Sequence, residues 1–94
     1  MIDLIIKNAK VATASDLFTC DIGVDKEKIV FLEKNSSKEA KRIIDAKNQY
    51  VLPGGVDGHC HLDQRTKDGT EMSDNFESGS RSAVFGGTTT IMPF

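Results

Sequence analysis

The stretch from residue 56 to residue 94 constrains the fold most, because it reads as strand, loop, helix, strand. Asp74, with Glu77 three residues later, fits a capping box, in which each side chain satisfies an orphan N–H of the first helical turn. Phe76, Ser80, Ala83 and Val84 then fall on one side at helical spacing, and Glu77 and Arg81 stand four apart, where opposite charges support a helix. These signals predict a helix that opens at Asp74 and is stopped by Gly86-Gly87 in a left-handed turn. Thr88-Thr89-Thr90-Ile91-Met92 is β-branched and apolar and suits a buried strand. Two strands joined by a helix form a parallel crossover. A single crossover cannot cover both faces of a parallel sheet. The chain also stops at Ile91-Met92-Pro93-Phe94, in or just after an apolar strand, so it reads as part of a longer protein.

Residues 1–52 carry a different pattern. Ile2 to Lys7 opens with a short apolar run, Leu4-Ile5-Ile6, and Asn8-Ala9-Lys10 makes a turn into Val11-Ala12-Thr13. Thr19 to Val24 alternates, Asp25-Lys26-Glu27-Lys28 is a charged turn, and Lys28 to Leu32 is a returning strand. Arg42 to Asp45 and Tyr50 to Leu52 are further short strands, with loops at Asn35-Ser36-Ser37 and Ala46 to Gln49. Strand, turn and strand at short intervals, with no helical period before residue 70, predict a small antiparallel sheet.

Between the two regions lies Leu52-Pro53-Gly54-Gly55-Val56-Asp57-Gly58-His59-Cys60-His61-Leu62-Asp63. If Val56 to His61 is extended, His59 and His61 project from one face and Cys60 from the other. Their Cα atoms then stand roughly 6–7 Å apart, at about 3.3 Å of rise per residue, and two imidazoles can converge on one ion. His59 and His61 are the candidate metal ligands. Asp57 is the candidate to support them: two residues before His59, it can receive an imidazole N–H and fix a tautomer, cap a backbone group, or simply close the turn after Gly55. Cys60 can be a third ligand only where the backbone is not extended.

The segment Pro53 to Asp63 resembles the first barrel-strand signature of the amidohydrolase superfamily, and within it the dihydropyrimidinase and hydantoinase type of cyclic amidohydrolase. The resemblance extends to Asp3-Leu4-Ile5-Ile6-Lys7-Asn8, to Ile43-Ile44-Asp45-Ala46 and to Ser80 through Thr90, with departures confined to the loop from Gln64 to Thr70. It implies an α/β protein with an N-terminal β part. Residues 1–52 would start a composite β-sandwich, completed by strands from elsewhere. Residues 53–94 would be the first βαβ unit of a metal-dependent (β/α)8 TIM barrel, which needs about 200 residues or more and is incomplete here. His59 and His61 would lie at the C-terminal end of the first barrel strand, where such barrels build their sites.

The resemblance also implies a chemistry. In such enzymes two metal ions, usually Zn2+, share a hydroxide and a bridging carboxylated lysine, and this chain supplies only the first two ligands. The reaction is ring-opening hydrolysis of a small cyclic amide, a dihydropyrimidine or a hydantoin. An allantoinase-like enzyme, a deaminase and a non-catalytic β-rich product are the alternatives. An arginine two residues after the second histidine, typical of dihydroorotase, would grip a carboxylated substrate, and Asp63 at that position argues for a neutral ring. Arg65, four residues on, is a solvated loop residue on this reading. Relatives are commonly tetramers, which implies a homo-oligomer.

Charge and cysteine content narrow the partners. A net charge of −2 and a pI near 5.6 leave no electrostatic footprint for nucleic acid. Lys38, Lys41 and Arg42 cluster, but Glu39 and Asp45 sit among them, as on a solvated face. No segment approaches the ~18 apolar residues of a membrane span, and Met1 to Ala14 lacks the apolar core of a signal peptide. Cys20 and Cys60 are too far apart in sequence for a close-spaced metal pair, and both are expected to be free thiols of a cytoplasmic protein.

Overall fold

The computed structural model describes residues 1–64 and 67–94, so Arg65 lies outside the described residues. The chain forms two compact units, Met1–Pro53 and Gly54–Phe94. The described residues are mostly β, with one helix. Among the described residues no helix is long and apolar enough to cross a membrane.

The first unit is a sheet of β1 (Ile2–Ala12), β2 (Leu17–Asp25), β3 (Lys28–Glu33), β4 (Ala40–Asp45) and β5 (Tyr50–Val51). Its order is β3-β2-β1-β4, with β5 also paired to β1. The charged turn between β2 and β3 places Lys26 and Glu27 at φ values of 49° and 66°. Two central residues with positive φ match the right-handed twist of a hairpin. The N–H of Lys26 donates to Asp3 Oδ2 at 2.9 Å, which ties the turn to β1. This bond and the nearby Lys41 ammonium hold the Asp3 carboxyl below its ordinary range.

The sheet is mixed, contrary to the antiparallel expectation, because β4 and β5 run parallel to β1. After β3 the chain does not turn back beside it. Residues 34–39 carry it to the other edge of β1, and a buried carboxylate holds them there. Asp21 is 2% exposed; its Oδ1 accepts the N–H of Asn8 at 3.0 Å and its Oδ2 that of Ser36 at 2.8 Å. Lys7 Nζ donates to the Ser36 carbonyl at 3.0 Å and stands 3.8 Å from Asp21 Oδ2. These contacts pin the crossing strap to the sheet.

A bulge in β1 decides which residues form the core. Ile6 opposes Ile22, but Ala9 rather than Asn8 opposes Cys20. The extra residue includes Asn8 at φ 55°, the αL region that asparagine tolerates well. The insertion resets the alternation, so Ile6, Ala9 and Val11 share a face with Cys20 and Ile22. Ala9, Val11, Cys20, Ile22 and Ala46 form the buried cluster, with Ile6, Phe18, Val24 and Val51 packed on it. Asp21, between Cys20 and Ile22, therefore faces the opposite side. There the Phe31 ring lies over Gly23, where a Cβ would come within 2.1 Å of it.

The second unit contains β6 (Gly55–Cys60), α1 (Phe76–Phe85) and β7 (Thr88–Pro93), with β6 and β7 parallel. The helix starts one residue later than the Asp74–Glu77 pattern suggests. Asn75 is the N-cap; its side chain accepts the N–H of Ser78 at 2.8 Å, and Ser78 Oγ accepts the N–H of Asn75 at 3.1 Å. Asparagine caps as well as aspartate does, so the capping box closes on the Asn75–Ser78 pair instead. Asp74 takes an outer role, its Oδ1 accepting the Ser78 hydroxyl at 3.0 Å. Glu77 and Arg81 form the expected ion pair. Gly86 ends the helix at φ −91°, and the left-handed residue is Gly87, at φ 91°. Gly79, the buried residue of α1, lies against Leu62: a Cβ there would stand 2.3 Å from Leu62 Cδ2. That contact moors the segment leaving β6 onto the helix. Phe76, Val84 and Met92 stay exposed.

Candidate metal centre

His59 lies near the end of β6, and His61 follows the strand directly. Their Nε2 atoms are 3.1 Å apart and their ring centroids 5.1 Å apart. Strand alternation thus delivers two imidazole nitrogens to one point in front of the strand end. Each residue around the pair restrains a different degree of freedom. Asp57 Oδ1 accepts the backbone N–H of His59 at 3.0 Å, the backbone-capping role among those open to it. The N–H of Phe94 donates to the Cys60 carbonyl at 2.9 Å, extending the β6–β7 ladder beneath the histidines. The Phe94 ring then lies 4.2 Å from the His59 ring centroid and 5.5 Å from that of His61, nearly stacked on the latter at 24°.

Beyond His61 the chain reverses at Asp63, whose φ is 49° and whose N–H donates to the Asp74 carbonyl at 3.0 Å. The reversal returns Gln64 beneath His61. Gln64 Oε1 is 2.7 Å from His61 Nδ1, and the backbone N–H of Gln64 meets Met72 Sδ at 3.2 Å. A carbonyl oxygen only accepts, so in a neutral ring the Nδ1 facing it carries the proton and Nε2 keeps its lone pair. With His61 Nε2 as the acceptor, the 3.1 Å contact between the rings places a proton on His59 Nε2. An open cleft beside Gln64 is lined by Asp63, Gly69, Thr70, Met72 and Ser73.

The donor set fits half of a metal shell. With zinc–imidazole bonds of about 2.0–2.1 Å, two nitrogens 3.1 Å apart subtend roughly 100° at a shared ion, near the tetrahedral angle. A catalytic zinc takes three protein ligands. Among the described residues no group of three or more His, Cys, Asp and Glu side chains could hold an ion. Cys60 is half-buried and a free thiol. Gln64 and Phe94 were not legible as site residues, because both reach the histidines through backbone events, the reversal at Asp63 and the extra ladder bond at Phe94.

A parallel strand, helix and strand with an imidazole pair at the first strand's C-terminal end defines a candidate metal-binding α/β segment. Comparison with known proteins narrows this class. No family model matches the chain. It is 43% identical over 90 residues to a D-hydantoinase of Geobacillus stearothermophilus, a match covering 96% of the chain and 19% of that protein. It is 38% identical over 92 residues to a dihydropyrimidinase of Dictyostelium discoideum, covering 97% of the chain and 18% of the relative. The solved D-hydantoinase of Bacillus sp. AR9 superposes with a TM-score of 0.90 at 39% identity, over 98% of this chain and 20% of that one. The chain belongs to the hydantoinase and dihydropyrimidinase family of amidohydrolases, and it spans about a fifth of the length of these relatives.

Proposed function

We propose that this chain provides the first metal-ligand pair, His59 and His61, of a longer protein that hydrolyses small cyclic amides such as hydantoins or dihydropyrimidines. The convergence of the two Nε2 atoms to 3.1 Å carries this reading, and the names of the relatives supply the substrate class. On the same reading, residues 1–52 belong to a β-sandwich and residues 53–94 open a (β/α)8 barrel, whose C-terminal face is where sites are built.

A bound divalent ion, Zn2+ in this proposal, would polarise the amide carbonyl and bring a water pKa toward ~7. The chain's own residues prepare its place. His61 offers Nε2 because its Nδ1 proton is taken by Gln64. His59 offers Nε2 in the tautomer that carries its proton on Nδ1. Phe94 flanks both rings. Leu62, seated on Gly79, holds the strand end at a fixed height above the helix. Asp63 offers a carboxylate where a carboxylated substrate would need a cation, and this favours an uncharged ring.

The test is zinc content and hydrolysis of dihydrouracil and hydantoin by the full-length protein carrying this segment, compared with its His59→Ala and His61→Ala variants. The expected result is turnover that both substitutions and a chelator abolish. Full activity and full metal content in both variants would refute the assignment.

A further inference from the structure

We propose that Gln64 is a positioning residue for His61: its side-chain carbonyl takes the Nδ1 proton and commits the ring's Nε2 lone pair to the point shared with His59. The inference rests on reading the histidine pair as metal ligands, and it adds a residue that lies in the loop where the chain departs most from family pattern. A neutral histidine has two tautomers, and only one leaves Nε2 free to bind an ion. The 2.7 Å contact of Oε1 with Nδ1 selects that tautomer. It also removes rotation about χ2, because a flipped ring would present Cδ2 rather than Nδ1 to the acceptor.

The backbone that carries Gln64 is itself held. Its backbone N–H is held by Met72 Sδ, and the preceding residue, Asp63, is in the left-handed region and bonded to Asp74. The Phe94 ring lies nearly parallel to the His61 imidazole at 5.5 Å between centroids. The ring thus meets a carbonyl acceptor at Nδ1 and an aromatic ring at its face, and Nε2 faces the partner histidine. A leucine at position 64 would preserve most of the volume and lose the acceptor, whereas a glutamate would keep the acceptor.

The experiment is Zn2+ affinity of the full-length protein, measured by competition with a chromophoric chelator, for wild type, Gln64→Leu, Gln64→Glu and His61→Ala. Partners that orient metal-bound histidines typically contribute about 10- to 100-fold in affinity, and Gln64→Leu should weaken Zn2+ binding by that range. Gln64→Glu should restore it, with the thermal midpoint of the metal-free protein unchanged in both. Gln64→Leu binding within about twofold of wild type, while His61→Ala loses the ion, overturns the role of Gln64 and leaves the ligand pair standing. Equal losses in Gln64→Leu and Gln64→Glu also overturn it, since the acceptor would then not matter. Wild-type binding by His61→Ala overturns the ligand reading itself, and the inference with it.

Discussion

Replacing Asp21 by asparagine perturbs the crossing strap at a single atom. The carboxylate is buried and serves two backbone N–H groups, one in the β1 bulge and one at Ser36. An amide has one oxygen, so it can serve one N–H while its own NH2 confronts the other. A buried donor left without a partner costs about 1–3 kcal/mol, and bonds to a charged acceptor stand at the strong end of the scale. The Lys7 ammonium, 3.8 Å away, loses its anion as well, but it is one-third exposed and adds little. The cleft lined by Asn8, Thr19, Asp21, Lys34 and Asn35 admits water to the orphaned donor, which favours the middle of the range. The expected loss is therefore about 2 kcal/mol, or a fall of roughly 2 M in the urea midpoint at a slope near 1 kcal/mol/M. Urea unfolding of the 94-residue chain measures the loss, and amide hydrogen exchange at Asn8 and Ser36 locates it. A midpoint unchanged within error, with both amides as protected as in wild type, would refute the strap mechanism.

Three further outcomes are expected. Asn8 Nδ2 and the Lys47 N–H hold the Asp45 carboxyl below its ordinary value of 3.8, so its contribution is present above that pH and lost as pH falls through the lowered folded value; Asp45→Asn should flatten the decline of the urea midpoint below pH 4. Gly79→Ala gains about 1 kcal/mol of helix propensity but drives a Cβ into Leu62, for about 1–3 kcal/mol of overpacking; the variant should be net less stable, and adding Leu62→Ala should reverse the sign of the alanine's effect in a double-mutant cycle. The 94-residue chain by itself offers two imidazoles where a catalytic zinc takes three protein ligands, so calorimetric titration should show weak Zn2+ binding that His59→Ala abolishes, and dihydrouracil should not be hydrolysed.

The features legible in the sequence are those set by local periodicity. Alternation along β6 brought His59 and His61 to one point, the charged stretch Asp25 to Lys28 formed a hairpin turn, and the Glu77–Arg81 spacing formed an ion pair. Features set by single backbone events were not legible. The positive φ of Asn8 exchanges the faces of β1, and no alternation pattern shows it in advance. The parallel placement of β4 depends on Asp21 meeting Ser36 across the sheet, a pairing of residues fifteen apart with no local signature. The cap moved from Asp74 to Asn75 because both residue types serve equally well. At the site, Gln64 reads as a loop residue until the reversal at Asp63 turns it under His61.

The most direct measurement is anomalous diffraction at the zinc edge on crystals of the zinc-loaded full-length protein that carries this segment. The expected map has an ion about 2.0–2.1 Å from Nε2 of both His59 and His61, with Gln64 still on His61 Nδ1. A zinc-replete protein in which neither imidazole contacts an ion would contradict the assignment of the pair.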